Sequence, residues 1–187
     1  MAVSQREMRR RERHRRQLTS RILWGALAAL VLAGLGYAGW QLSRPKLGIA
    51  VPEMASQHIQ IGEQHEPYNS DPPTSGPHYV QPAEAGFYDE ALTDEQLVHN
   101  LEHGYVVIWY NCVKLDESAC NDLKANIKPV INDVNGIKVI ASPRDSIDVP
   151  VAMTSWGRLL KMETFDAVQA RAFYKTNLNK SPEPGAP

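Results

Sequence analysis

The chain has 187 residues, enough for one ordinary domain with a remainder, and its formal charge of −1 conceals a split. Residues 1–21 carry eight arginines against Glu7 and Glu12, a net of +6, whereas residues 47–187 carry ten Lys and Arg against nineteen Asp and Glu, a net of −9. So acidic a globular part argues against a nucleic-acid partner, and the apolar run between the two halves argues against a plain cytosolic protein.

Ile22 to Trp40 is a run of nineteen residues whose only ionisable side chain is Tyr37. At about 1.5 Å per residue a helix of that length spans roughly 28 Å, close to the hydrocarbon thickness of a bilayer. Residues 22–42 are therefore expected to form one transmembrane helix. The eight arginines all precede residue 22, and only Arg44 and Lys46 follow closely. That asymmetry predicts a basic cytoplasmic tail over 1–21 and a domain outside the cytoplasm. The competing reading is a cleaved signal peptide with Gly36 and Ala38 at the cleavage site, but secretory apolar cores usually run only about 7–15 residues. Gly25, Ala29 and Ala33 form a small-residue face that can pair helices, although such residues also serve as plain lipid-facing filler.

Residues 43–56 read as a stalk, with Pro45 and Pro52 stopping any helix. The globular domain is expected over 57–180, and the Pro- and Gly-rich 181–187 as a disordered, frayed tail. His58 to Ile61 alternates polar and apolar, the pattern of a short strand. Residues 64–91 hold five prolines and almost no periodicity; a long ordered loop of that kind tends to be functional. Thr93 then opens a helix, with Gln96 as its capping-box partner, and Gly104 suits the stop after His103. Tyr105 to Tyr110 is β-branched and aromatic throughout, as in a buried strand.

Further on, 118–127 reads as a helix disturbed at Pro129, and 137–141, 149–156 and 158–162 read as strands, the last two joined at Gly157. Thr164 caps a last helix over about 165–177, whose Phe165, Val168, Ala172 and Phe173 share a face. The pattern predicts one small α+β domain with a mixed, mainly antiparallel sheet and about three helices, preceded by the transmembrane helix.

Cys112 and Cys120 fall in the segment expected outside the cytoplasm, where two cysteines usually pair as a structural disulfide. A thiolate metal site or redox pair is the alternative, but the spacing is too long for the C-x-x-C such chemistry prefers.

Histidines carry the chemical information. His99 and His103 are four apart on the predicted helix, so both imidazoles project from one face and can reach one metal ion. His78 ends the string DPPTSGPHY (71–79), whose prolines present it at low entropic cost. Glu102 can orient a ligating histidine, and Met153 is the one sulfur that a soft metal such as copper would use. His58 and His65 read as ordinary surface residues. The plain alternative is that the histidines only knit loop to helix, with Met153 in the core. His99 to His103 also fits H-x-x-E-H, in which two histidines hold zinc and Glu102 acts as base. No nucleophile elbow, phosphate loop or dinucleotide fingerprint occurs.

Taken together, PPTSGPHY (72–79), LVHNLEHGYVVIWY (97–110), SPR (142–144), PVAMTSWGR (150–158) and the final Pro-Glu-Pro (182–184) resemble the bacterial family of domain of unknown function 3105. The resemblance covers about residues 57–184 and rests on Gly76, Pro77, His78, His99, Leu101, Glu102, His103, Gly104, Trp156 and Gly157. Cys112 and Cys120 lie outside the shared strings, and no role is carried over to Met153. It implies a short bacterial protein with an N-terminal membrane segment and an exported domain, hence the cytoplasmic (inner) membrane, and it implies no activity. Three functions stay open: a copper or zinc site of His78, His99 and His103; a non-catalytic assembly or interaction module; and a small zinc hydrolase using Glu102. Nothing in the chain names a protein partner.

Overall fold

A segment such as Val106–Tyr110, apolar on both alternating faces, has to be covered on both sides, and the fold is arranged around it. The computed structural model describes residues 21–37 and 47–186, within two compact units, Met1–Pro45 and Lys46–Pro187. In the first unit, residues 21–37 form helix α1, with Leu23, Trp24 and Leu30 exposed. Among the described residues no helix is long and apolar enough to cross a membrane. The transmembrane helix expected over 22–42 is thus unsupported by the structure. Most of the basic tail, Ala38, Trp40 and the first stalk residues lie outside the described residues.

The second unit runs β1 (Ile49–Ala50), β2 (His58–Ile59), β3 (His78–Tyr79), β4 (Gly86–Phe87), α2 (Asp94–Glu102), β5 (Val106–Tyr110), α3 (Glu117–Asp133), β6 (Val139–Pro143), β7 (Val151–Ser155), β8 (Arg158–Met162) and α4 (Ala167–Asn177). Six strands form one sheet in the order β1-β8-β7-β5-β6-β4, and β2 pairs with β3 apart from it. β5 lies parallel to β6 and antiparallel to β7; β7–β8 and β8–β1 are antiparallel, and β6–β4 is parallel. The α+β class and mixed sheet are as the sequence predicts.

Alternation along β5 divides the core. Val106, Ile108 and Tyr110 pack with Leu123, Ile127 and Phe173 of α3 and α4. Val107 and Trp109 pack with Leu97, Val98 and Leu101 of α2. The sheet is therefore sandwiched, with α2 and the long loop on one side and α3 and α4 on the other.

Several boundaries differ from expectation. α3 passes through Pro129 and ends at Asp133. Proline frees only the carbonyl four residues back, on exposed Ala125, while Val130 and Ile131 beyond it are buried. α4 starts at Ala167, because Asp166 and not Thr164 caps it, accepting from the N–H groups of Val168 (2.8 Å) and Gln169 (3.1 Å). The strand expected over 137–141 is Val139–Pro143. Much of the stalk belongs to the domain: Ile49 pairs with Leu159, and Trp156 Nε1 donates to Glu53 Oε2 at 3.0 Å. Three residues of the expected tail, Glu183, Pro184 and Ala186, also meet the domain. Lys138 Nζ donates to the carbonyls of Pro184 (2.9 Å) and Ala186 (3.0 Å), and Glu183 N–H to that of Glu102 (3.1 Å).

Candidate metal centre

The helix that carries half of the chemistry forms for local reasons. Thr93 Oγ1 accepts from the Gln96 N–H, and Asp94 and Glu95 meet the positive end of the dipole. Leu97, Val98 and Leu101 are fully buried against the sheet, which fixes the helix's rotation. Asn100 secures it to the long loop: its side chain accepts from the Ala83 N–H and donates to the Ala83 carbonyl, each at 2.9 Å. His99 and Glu102, three residues apart, then share a neighbouring face. His103 is the C-cap, and Gly104, at φ +84°, turns the chain where a Cβ would lie 2.7 Å from Asn179 Cα.

The long loop supplies the other half. Thr74 and Ser75 are fully buried, tied by Gly157 N–H to the Thr74 carbonyl (3.1 Å) and Met54 N–H to Ser75 Oγ (2.9 Å). Tyr68 donates to the Pro77 carbonyl at 2.7 Å, and Arg144 links Asp71 of the loop to Asp94 at the start of α2. The loop delivers β3 beside β2 in parallel register, with His58 opposite His78. Side chains alternate along a strand, so both imidazoles fall on one face of this pair. A groove of about 580 Å³, lined by Gln57, Ile59, Glu63 and Pro77 among others, involves the residues that alternate with the histidines.

Donor atoms of His58, His78, His99 and Glu102 all lie within 4.8 Å of one another. His78 Nδ1 sits 2.8 Å from the Gly76 carbonyl. A carbonyl only accepts, so Nδ1 carries a proton, and the ring turns its Nε2 inward. That Nε2 is 2.9 Å from Glu102 Oε2, within ion-pair distance, yet the two are not aligned as a hydrogen bond, and both are buried without a hydrogen-bond partner. His99 Nδ1 is a third buried atom in the same condition. Glu102 Oε1 accepts from the Ser56 hydroxyl, and His58 Nε2 lies 3.9 Å from Oε2. Burial, reinforced by the His103, His78 and His58 rings and opposed by Glu102, pushes the His99 imidazole down to about 4, so it is neutral at pH 7.

The arrangement fits a metal ion. A tetrahedral ion at about 2.0–2.1 Å from nitrogen and oxygen donors needs them roughly 3.4 Å apart, and the 2.9 and 3.9 Å separations here bracket that value. A buried imidazole nitrogen and a buried carboxylate oxygen this close need something positive between them, a proton or a metal ion. The backbone carbonyl that holds His78 Nδ1 is the usual orienting partner of a ligating histidine.

Of the residues named from sequence, the structure brings together His78, His99 and Glu102. Glu102 is one of the four donors and not merely an orienting neighbour. His103 is not among the four; its ring packs at 4.3 Å from that of His99, and its Nε2 lies 3.9 Å from Glu183 Oε2. The H-x-x-E-H reading thus has Glu102 and His103 in exchanged positions. Met153 is excluded as a soft ligand, being buried with Ile108 and Phe173 on the side of the sheet away from α2. Cys112 and Cys120 form the expected disulfide, joining the end of β5 to the first turn of α3.

Sequence reasoning missed His58 and Ser56. The 58–61 alternation puts His58 on a strand, but no local signal says that strand pairs with residue 78. His65 is no free surface residue either, with Nε2 3.2 Å from Glu95 Oε1.

Fold and site define a small α+β domain bearing a histidine–carboxylate cluster of a kind that can hold a metal ion. The chain belongs to the family described as protein of unknown function (DUF3105), whose model matches residues 58–187. No curated protein and no solved structure matches it.

Proposed function

We propose that the domain binds one divalent transition-metal ion through His58, His78, His99 and Glu102. The observation that carries this reading is the convergence of three buried donor atoms that make no hydrogen bond, on His78, His99 and Glu102. Three imidazoles and a carboxylate without sulfur suit Zn(II) or Cu(II) and not Cu(I). When bound, the ion would supply a fixed positive charge and Lewis acidity. The residues' own part is to present neutral nitrogens, hold Glu102 through Ser56 and keep water from three of the donors.

The test uses the full chain in detergent, stripped with EDTA and reloaded with Zn(II) or Cu(II). One equivalent per chain, lost in His78→Ala/His99→Ala, is the expected result. Unchanged stoichiometry in a folded double variant refutes it. If the wild type takes up no metal and the variant is only less stable, the histidines are structural and the interaction-module reading gains.

We further propose that residues 22–42 anchor this domain in the bacterial cytoplasmic membrane, with the N-terminus inside and the metal centre outside. The apolar run, the one-sided arginines and the disulfide support that topology. Protease added to intact spheroplasts should remove the C-terminal domain; complete protection would overturn it.

A further inference from the structure

The four donors are not held alike, and the difference bears on how an ion would be exchanged, granted the metal reading above. His78, His99 and Glu102 are 0%, 5% and 4% exposed. Each is anchored: His78 by Gly76, and by its own N–H on the Gln57 carbonyl at 2.9 Å; His99 within α2; Glu102 by Ser56. The His58 side chain is 50% exposed and comes from a strand of two residues, between exposed Gln57 and Ile59–Gln60, of which only Ile59 is buried. Its Nε2 stands 3.9 Å from Glu102 Oε2, against 2.9 Å for His78.

We propose that His58 is the exchangeable ligand of this centre. His78, His99 and Glu102 hold the ion, and His58 fills the solvent-facing fourth position, which a monodentate nitrogen donor from solution can take over. Closed structural sites bury all four ligands, whereas working sites keep one position accessible. Here the accessible position is occupied by a side chain that can swing away without disturbing the core. The ion can then be loaded, handed on, or met by an external ligand while the domain stays folded. Exchange requires only that one coordinate bond to His58 break as another forms, with no redox change.

Co(II), whose visible absorption reports its ligands, serves as the probe on the full chain in detergent. His58→Ala should still take up one Co(II), with an altered band as water replaces imidazole. It should lose the ion to EDTA at least about tenfold faster, because weakened coordination is expressed mainly in the dissociation rate. Added imidazole should restore the wild-type band and slow the loss, while His78→Ala should bind no Co(II). The proposal is overturned if His58→Ala abolishes binding as fully as His78→Ala, or if spectrum and loss rate stay at wild-type values. If the wild type itself binds no Co(II), the metal reading falls and this inference with it, an outcome distinct from the other two. His58 is exposed, so the unfolding midpoint of metal-free His58→Ala should match wild type, separating a ligand effect from misfolding.

Discussion

Replacing Glu102 with glutamine should strengthen the metal-free protein while weakening its hold on metal. In the metal-free site, Glu102 Oε2 and His78 Nε2 are 2.9 Å apart, and on the metal-site account, with Nδ1 committed to Gly76, both present lone pairs. Glu102→Gln leaves an amide oxygen to accept from Ser56 and places an N–H₂ where Oε2 stood, 2.9 Å from the ring nitrogen, where a small side-chain rotation brings the two into line. One hydrogen bond gained and two unsatisfied buried atoms relieved amount to about 1–2 kcal/mol, or a rise of roughly 3–6 °C in Tm for a domain of this size. The same change removes the only anionic donor of the four, so stabilisation by metal, about 2.7 kcal/mol at a hundredfold excess over Kd in the wild type, should largely vanish. Thermal melts of both proteins, with EDTA and with Zn(II), give all four values. If His78 were instead a protonated partner of Glu102, glutamine would leave a buried charge unpaired and cost about 3–5 kcal/mol. A lower Tm for metal-free Glu102→Gln would therefore refute the metal-site account and favour a structural ion pair.

Other expectations test separate parts of the structure. The His99 imidazole is held at about 4 in the fold against an ordinary 6.5. The unfolded chain therefore takes up this proton first, and metal-free protein should lose stability as pH falls from about 6.5 to about 4, by at most on the order of 3 kcal/mol. Urea titrations across that range should show the slope, and His99→Gln should flatten it; a slope unchanged in His99→Gln would contradict the assignment. Asn100→Ala removes both 2.9 Å bonds to the Ala83 backbone and should cost about 2–4 kcal/mol in urea denaturation, because two buried backbone groups lose their partners. A loss under about 1 kcal/mol would mean water replaces the amide. Cys112→Ser/Cys120→Ser opens a nine-residue loop and should cost about 2.6 kcal/mol in the chain-entropy model, leaving metal stoichiometry unchanged. Loss of metal in that variant would tie the bridge to the site.

Much of this was legible in the sequence because it is local. Thr93, Gln96 and Gly104 bound a helix within its own residues, and a helix places His99 beside Glu102 by its period alone. Val106–Tyr110 announced a strand covered on both faces, and the short Cys112–Cys120 loop a bridge between neighbours. Helix limits were less legible, since Pro129 and Asp166 were settled by which neighbours are buried and which N–H groups need an acceptor.

Only the tertiary structure decided which residues meet across the chain. His58 joins the cluster through its register with His78, twenty positions on across a loop without periodicity, so no spacing rule encodes it. Met153 alternates to the far side of the sheet because β7 pairs with β5 in one register, and a slip of one residue would have turned it toward α2. His103 is outside the donor set, being the C-cap beyond the last helical residue, Glu102, which is within it. Residues 49–56 become an edge strand and a site wall because β8 and Trp156 offer them partners. The sequence by itself determined the local elements and the donors each carries; long-range pairing, a matter of register and packing between distant segments, decided which donors converge.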